Sequence, residues 1–414
     1  MDRVILHCDL NNFYASVECL HQPEIRERPV AVAGRAELRH GIILAKNYPA
    51  KSCGVKTGEA IWQAKQKCPE LLLVPPNFSL YLRFARLARE IYADYTDQVE
   101  SFGIDECWLD VTKSIHLFGD GKAIADTIRE RIKAELGITA SVGVSFNKIT
   151  AKLGSDLRKP DATTVIDRSN YQAIVYPVPV QELLYVGPAT YRKLRRIAIT
   201  TIGDLAGCHP ETLRALLGKW GLVLSAFARG EDASPVTPLG MESVIKSIGN
   251  SITTARDLVN TEDVKLILYI LAESVATRLR RHGFRCRTVQ IYVRDNQLNA
   301  FERQGRLPFS SCQAAEIAAQ ALELFTANWS WPQPIRSLGV RGCELVAADQ
   351  GIQLSFLADE ERRMRQERLE YTVDRIRERF GPYAVQRGIS LSDRRLGRIN
   401  PVDEHVIHPL PYFK

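Results

Sequence analysis

The sequence has 414 residues, of which 45% are hydrophobic and 25% are charged, and its net charge is +7. These proportions are typical of a globular protein, and the length allows several domains of about 100–200 residues each. No apolar run reaches the roughly 18 residues of a membrane span, and polar residues interrupt the first apolar stretch too early for a signal peptide. The nine cysteines form no C-x-x-C pair, which argues against a zinc ribbon. We therefore expect a cytoplasmic protein without membrane contact.

The first half of the chain predicts alternating strands and helices. Residues 4–10 form an apolar strand interrupted only by His7 and by Asp9 near its end, and a helix follows over residues 13–20. The further predicted elements are strands 30–33 and 42–45, a helix over 81–98, a hairpin of strands 99–102 and 107–111, a helix over 122–136 that stops at Gly137, and a strand over 140–144.

This strand–helix–strand–strand–helix–strand order predicts a ferredoxin-like sheet with helices on one face, within an α+β protein. Acidic residues stand at the end of the first strand and at the central hairpin. That arrangement is typical of a polymerase palm, and nucleotide cyclases share it.

A different pattern begins near residue 170. The stretch LLYVGPATYRKLRRIAITTIGDLAG predicts two helices with turns at Gly187 and Gly203, and it is similar to a helix-hairpin-helix. Glycine lets a backbone approach a phosphate closely, and the next helix then presents its N–H groups to that anion. A plain helical turn is the alternative.

The second half predicts a linker, an α+β domain and a charged tail. Residues 231–245 contain two prolines and a glycine, which favours an interdomain linker. A helix over 261–281 and strands over 288–294 and 335–345 follow, and the loop-rich tail holds one helix over 359–380. Five arginines fall between residues 278 and 287, for which a solvated helix end is the plain interpretation.

Asp9, Asp105 and Glu106 are the main candidates for chemistry. A lone carboxylate in an apolar strand is costly unless it is used or solvated. Adjacent residues of a strand point to opposite faces, but a turn or bulge lets both reach one site. An acidic pair in a hairpin is often only a solvated turn. Three acids on one sheet, however, could hold two hard cations about 3.5–4 Å apart for in-line phosphoryl transfer.

The segments HCDLNNFYASVE and SFGIDECWLDVT resemble the two acidic motifs of the Y-family translesion DNA polymerases. The chain is most similar to their DNA polymerase IV-like and UmuC-like bacterial branch. The similarity runs from residue 1 to about residue 347, through NYPAKSCGVKTG, GVSFNKITAKLGSDLRKPD and KSIGNS. It implies a template-directed polymerase that adds dNTPs to a primer 3′ end with low fidelity and without proofreading. The implied domains are a palm at residues 1–11 and 79–167, fingers at 12–78, a helix-hairpin-helix thumb at 168–234, a linker at 235–245, a little finger at 246–347 and a tail at 348–414.

The resemblance also implies a role for each acidic residue. Asp9 and Asp105 would bridge two Mg²⁺ ions, Glu106 would complete the site of the catalytic ion, and the Leu10 carbonyl would add a ligand. Without metal, the acids would repel one another and their pKa values would rise.

The nucleotide would contact a further set of residues. Tyr48, Lys51 and Lys159 would hold the triphosphate, although Lys51 stands where the family usually has arginine and cannot grip a phosphate bidentately. Phe13 and Tyr14 would lie beneath the sugar, with Tyr14 as the steric gate against ribonucleotides. Core packing is the alternative for this pair.

Residues 41–45 would form the roof over the nascent base pair, where Ile42 and Leu44 are bulkier than is usual in the family. Their alternation also fits side chains that face a core.

The implied DNA contacts lie in the thumb and the little finger, at Gly187, Lys193, Lys246, Ser247, Gly249 and Arg336. In the tail, QLSFL resembles the motif by which bacterial polymerases dock on the sliding clamp, and a buried helix start is the alternative. That motif supplies the candidate clamp contacts Gln353, Leu354, Phe356 and Leu357. The implied partners are therefore primer–template DNA, dNTP and the clamp β subunit, bound by a monomer.

Two other functions fit part of this pattern. An accessory protein could grip DNA and the clamp without catalysis, but the retained Asp9, Asp105 and Glu106 argue against it. A nucleotide cyclase could use the same sheet, but it has no need of a helix-hairpin-helix or of a basic C-terminal domain.

Overall fold

The computed structural model describes residues 2–34, 41–241, 244–349, 360–393 and 395–400. The described chain divides into two compact units, one of residues 2–34 and 42–241 and one that includes the described residues from 244 onward. Each unit combines helices with its own sheet and core, so the predicted α+β class is confirmed.

The first unit contains the predicted strands and helices in the predicted order, together with further elements that were not predicted. Its strands are β1 (Ile5–Leu10), β2 (Val30–Ala33), β3 (Ile43–Lys46), β4 (Leu72–Val74), β5 (Val99–Phe102), β6 (Glu106–Asp110), β7 (Ala140–Ser145) and β8 (Thr163–Ile166). Its helices are α1 (Phe13–His21), α2 (Tyr48–Ser52), α3 (Ile61–Lys67), α4 (Phe78–Ala93), α5 (Ile115–Phe118), α6 (Gly121–Arg131), α7 (Lys148–Leu157), α8 (Tyr171–Val175), α9 (Pro188–Arg195), α10 (Ile202–Gly207), α11 (Pro210–Leu217) and α12 (Lys219–Ala228).

The main sheet of this unit has the strand order β5-β6-β1-β7-β8. The sequence β1-α4-β5-β6-α6-β7 gives the predicted ferredoxin-like topology, in which β1 lies antiparallel to both β6 and β7. β8 adds to β7 in parallel. Residues 11–77 are an insertion between β1 and α4, and they carry a separate small sheet of order β3-β2-β4.

The two faces of β1 meet different partners. Leu6, Cys8 and Leu10 belong to the core that includes residues of α4 and α6, whereas Ile5 packs with Ala151 of α7. The expectation of helices on one face only was therefore wrong. Gly143 explains the close approach of α7, because a Cβ atom there would lie 1.9 Å from the Ala151 carbonyl oxygen.

The helical region of α8–α12 contains the predicted turn at Gly187, which caps α9 just before Pro188. The predicted turn at Gly203 is wrong, because Gly203 lies inside α10. The chain turns earlier, where Ala198 has a positive φ of 60°. Thr201 then starts α10: its hydroxyl accepts from the Asp204 N–H, and the Asp204 carboxylate accepts from the Thr201 N–H.

The segment predicted as a linker is fixed along its described first part. The Thr237 N–H donates to Glu100 Oε2 at 2.8 Å, and the Leu239 N–H donates to the Asp97 carbonyl at 2.8 Å. Val236 is buried with Ile5 and Trp108. Residues 235–241 therefore belong structurally to the first unit.

The second unit is a four-stranded antiparallel sheet of order β11-β10-β12-β9 with helices packed on it. Its elements are β9 (Ser247–Leu258), α13 (Thr261–Arg281), β10 (Phe284–Asp295), β11 (Ala300–Ser311), α14 (Ala314–Asn328), β12 (Ile335–Ala347) and α15 (Glu360–Phe380). The bounds of α13 match the prediction. β11 was not predicted, because half of its 12 residues are polar and it also contains Gly305 and Pro308, as an exposed edge strand tolerates.

Helix α15 belongs to the second unit. Arg280 of α13 donates to Glu370 and Asp374 of α15, and Arg285 of β10 donates to Glu367. The described part of the segment interpreted as a tail is thus packed on the sheet domain. The arginine cluster that sequence analysis attributed to a solvated helix end instead supplies much of this contact.

Candidate active site

Strand pairing brings the three predicted carboxylates together at one end of β1. Asp9 lies directly opposite Glu106 in the β1–β6 register. Asp105 precedes Glu106 in the tight β5–β6 turn, and its carbonyl accepts the Leu10 N–H at 3.1 Å. Leu10 is therefore also at this edge of the sheet.

Two lysines bind these carboxylates. Lys159 Nζ lies 2.8 Å from Asp9 Oδ2, and Lys152 Nζ lies 2.9 Å from Glu106 Oε1 and 3.5 Å from Asp9 Oδ2. Asp156 pairs with both lysines, at 3.2 Å and 2.7 Å. Lys152 was missed by the sequence analysis, which predicted no helix over the residues that form α7.

The local charges shift the acidic pKa values in different directions. Burial and the neighbouring Glu106 and Asp9 raise the pKa of Asp105 to about 7. Burial and Glu106 also raise the pKa of Asp9, against the opposing effect of Lys152 and Lys159. Burial would raise the pKa of Glu106 too, but His7 and Lys152 outweigh it and lower that pKa. The cluster therefore holds more potential negative charge than its two lysines balance.

The donor set suits a hard divalent cation. Carboxylate and carbonyl oxygens are the ligands that Mg²⁺ prefers. Glu106 Oε2 is buried and, apart from a 3.3 Å contact with His7 Nε2, has no hydrogen-bond partner among the described residues. In the described chain, no group of three or more His, Cys, Asp or Glu side chains is placed so that it could hold a metal ion without rearrangement. Lys152 and Lys159 each bind a carboxylate oxygen that a cation would use.

Tyr14 lies near the acids, and Phe13 is part of the core. Tyr14 is half-buried and stacks on Tyr81 with ring centroids 4.3 Å apart, and Phe78 meets its edge. Burial is the main cause that raises the pKa of Tyr14 to about 12, and the charge of nearby Asp105 adds to it. Phe13 is buried in the core, so the packing alternative describes Phe13.

Of the three candidate triphosphate residues, Tyr48 and Lys159 lie near the acid cluster, and Lys51 lies near Tyr48. Burial raises the pKa of Tyr48, Lys159 opposes this rise and Asp9 adds to it, so Tyr48 lies near the acid cluster. Lys51, one helical turn later on α2, places its ammonium group 5.8 Å from the Tyr48 ring centroid. Lys51 itself is exposed.

The candidate roof residues do not face the core. Ile43 is fully buried, whereas Ile42 is 46% exposed and Leu44 is half-buried. Ile42 forms a bridge with Ala60 at the start of α3. The alternation predicted from the sequence is real, but the core residue is the one between them.

The candidate DNA contacts divide between the two units. Gly187 and Lys193 are exposed in the first unit, and space around the Gly187 Cα is open. In the second unit, Lys246 is exposed, Ser247 begins β9, and Arg336 is half-buried on β12. Gly249 pairs with Arg341, whose side chain would lie 2.9 Å from a Cβ atom at position 249.

Arg341 was not among the predicted residues, yet it is exposed on the same strand face as Gly249. The candidate clamp residues Gln353, Leu354, Phe356 and Leu357 lie outside the described residues.

None of the described helices combines the length and the hydropathy needed to cross a membrane.

Comparison with known proteins adds a family and a fold. The model of the impB/mucB/samB family matches residues 8–156, and the model of that family's C-terminal domain matches residues 245–356. The DNA polymerase IV of Acetivibrio thermocellus is 56% identical over 96% of this chain and 100% of its own length. That of Moorella thermoacetica is 39% identical over 94% of this chain and 97% of its own length. A solved Y-family DNA polymerase chimera shares the fold, with a TM-score of 0.73 at 23% identity over 83% of this chain and 99% of the chimera.

Proposed function

Because the chain belongs to the impB/mucB/samB family, we propose that it is a template-directed DNA polymerase for translesion synthesis, which adds dNTPs to a primer 3′ end. One observation carries the proposal. Asp9, Asp105 and Glu106 meet at one edge of the sheet, next to Tyr14 and Lys159. The site thus joins oxygen donors for cations, an aromatic ring for a sugar and an ammonium group for a phosphate.

Two Mg²⁺ ions would be held by Asp9, Asp105, Glu106 and the Leu10 carbonyl. When bound, such ions stabilise the charge that develops on a transferring phosphoryl group. To bind them, Asp9 Oδ2 would leave Lys152 and Lys159, and Glu106 Oε1 would leave Lys152. Lys159, released from Asp9, would then be free to meet the triphosphate beside Tyr48 and Lys51.

Tyr14 would act as the steric gate. Its ring is held between Phe78 and Tyr81, so it cannot swing away easily to admit a 2′-hydroxyl. Ile42 and Leu44 would cover the nascent base pair, since neither side chain belongs to the core. Tyr14→Ala should therefore raise the use of ribonucleotides relative to dNTPs, measured as the ratio of the two kcat/KM values.

The DNA grip would be mainly electrostatic. Gly187 and Lys193 in the first unit, and Lys246, Ser247, Gly249 and Arg336 in the second, would contact backbone phosphates, so affinity should fall steeply with salt. Gln353, Leu354, Phe356 and Leu357 would dock on a sliding clamp. A primer-extension assay with and without clamp tests this, because replacing Leu354 and Phe356 with alanine should remove only the stimulation. The protein would work as a cytoplasmic monomer without proofreading.

Primer extension tests the catalytic proposal. Asp105→Asn and Glu106→Gln should each lower the insertion rate by roughly 100-fold or more, since metal-held charge stabilisation acts in the transition state. DNA affinity should stay close to wild type. Glu135→Gln is the matched control, because Glu135 is an exposed carboxylate of the same unit that pairs only with Arg131 among the described residues. Near wild-type insertion by Glu106→Gln would refute the assignment.

A further inference from the structure

A buried histidine lies behind the acid cluster. His7 is on β1 two residues before Asp9, so both side chains point to the same face of the sheet. The His7 side chain is completely buried. Its ring packs edge-on against Trp108 at a centroid distance of 5.2 Å. A polar ring in such a place needs hydrogen-bond partners.

Both ring nitrogens have a neighbour. Nδ1 lies 2.8 Å from Ser155 Oγ, and Nε2 lies 3.3 Å from Glu106 Oε2. Helix α7 supplies Ser155, and the contact between α7 and Gly143 brings that helix close to β1. Ser155 Oγ also lies 2.7 Å from the Lys152 carbonyl oxygen, so its one proton can serve either acceptor. When it serves Nδ1, a neutral ring carries its proton on Nε2, facing Glu106.

Glu106 is thus approached from two sides. Lys152 binds Oε1 at 2.9 Å, and His7 faces Oε2. Among the described residues, His7 Nε2 and Glu106 Oε2 have no other hydrogen-bond partner. We propose that His7 is a positioning residue that fixes the orientation in which Glu106 presents its oxygens to a divalent cation. This inference rests on the proposed function, in which Glu106 binds metal.

Hydrogen bonds behind a ligating carboxylate tune metal affinity, and their loss commonly costs about 10- to 100-fold in affinity or activity. Two substitutions test the two ring nitrogens of His7 separately. Glutamine at position 7 can place an N–H near the Nε2 position, whereas asparagine reaches only the Nδ1 position. We expect His7→Gln to stay within about threefold of wild type and His7→Asn to need about 10- to 100-fold more metal.

The experiment uses the full chain without DNA and measures Mn²⁺ binding by electron paramagnetic resonance, with Glu106→Gln as the reference that removes the site. Thermal unfolding without metal and single-turnover dNTP insertion are measured alongside. Ser155→Ala should weaken Mn²⁺ binding in the same direction as His7→Asn, which keeps the test decisive if His7→Asn does not fold. Ser145→Ala is the control, because it removes a buried hydrogen bond to Ile166 elsewhere in the sheet.

Two results would contradict the positioning role of His7, and a third would contradict the proposed function. If the His7 and Ser155 variants all bind Mn²⁺ as wild type does, His7 only packs. If His7→Gln and His7→Asn are equally weak and equally unstable, its role is structural. If instead wild type and Glu106→Gln bind Mn²⁺ alike and wild type does not extend a primer, the proposed function itself fails.

Discussion

The two units each bury a cluster of opposite charges, but the two clusters are built differently. In the second unit, Arg280 donates to both Asp374 oxygens, to Glu370 and to the Cys312 carbonyl. Glu370 also accepts the Ala314 N–H. In the first unit, Asp9, Glu106 and Asp156 share Lys152 and Lys159, and Asp105 adds a fourth carboxylate beside them. Apart from a 3.3 Å contact with His7 Nε2, Glu106 Oε2 has no hydrogen-bond partner among the described residues.

This difference separates a structural ion cluster from a functional one. In the second unit, Glu370 and Asp374 are both paired with Arg280, and the cluster fixes α15 on the sheet domain. Where acids outnumber bases, like charges remain close together, and the folded protein bears an electrostatic cost that a bound cation can relieve. Excess buried charge, rather than the presence of buried charge, is therefore the signature of the site.

The largest expected effect is on the paired cluster. Arg280→Met leaves Glu370 and Asp374 buried without their main partner, which should lower the free energy of unfolding by about 3–5 kcal/mol. Arg281→Met is the matched control. Its side chain is 60% exposed beside Glu378, whereas that of Arg280 is 4% exposed, so its loss should cost below about 1 kcal/mol. Urea unfolding measures the change in the free energy of unfolding for both variants. If Arg280→Met costs as little as Arg281→Met, the buried cluster does not stabilise the second unit.

The sequence was sufficient to bring the three acids of the first unit together. It was insufficient for their buried neighbours and for the ion cluster of the second unit. Asp9 and the Asp105–Glu106 pair could be placed together because strand periodicity and one hairpin determine their positions. Lys152 and His7 could not be assigned, since their roles depend on how closely α7 packs at Gly143. The arginines near residue 280 were misinterpreted because their partners are distant in the sequence. Their partners on α15 lie about 90 residues away in sequence, as the 90-residue separation of Arg280 and Glu370 shows.

An intermediate effect is expected from pH at the unbalanced cluster. The pKa of Asp105 is about 7 in the folded protein, whereas an unfolded aspartate titrates near pH 3.9. The unfolded chain therefore releases this proton first, and the folded state loses stability as pH rises from about 4 to 7.

Asp105→Asn removes that loss. Its stability relative to wild type, measured in EDTA, should rise by about 2 kcal/mol between pH 5 and pH 8, a discounted value because Asp105 retains some solvent exposure. Asp94→Asn, at an exposed carboxylate of the same unit, should show no such rise. A parallel pH profile for Asp105→Asn and wild type would show that the acids are balanced after all.

The smallest effect, and the one that sharpens the comparison most, is the response to Mg²⁺. A ligand that binds only the folded state stabilises it by RT ln(1 + [L]/Kd), which is roughly 1.4 kcal/mol at tenfold excess over Kd. Only the cluster with unpaired acid charge should respond. Hydrogen exchange read by mass spectrometry can report each unit separately. We expect Mg²⁺ to slow amide exchange in β1 and β6 but not in α13 or α15, and Glu106→Gln to abolish the slowing. Equal protection of both units, or protection that survives Glu106→Gln, would mean that the cation acts elsewhere and that excess buried charge does not mark the site.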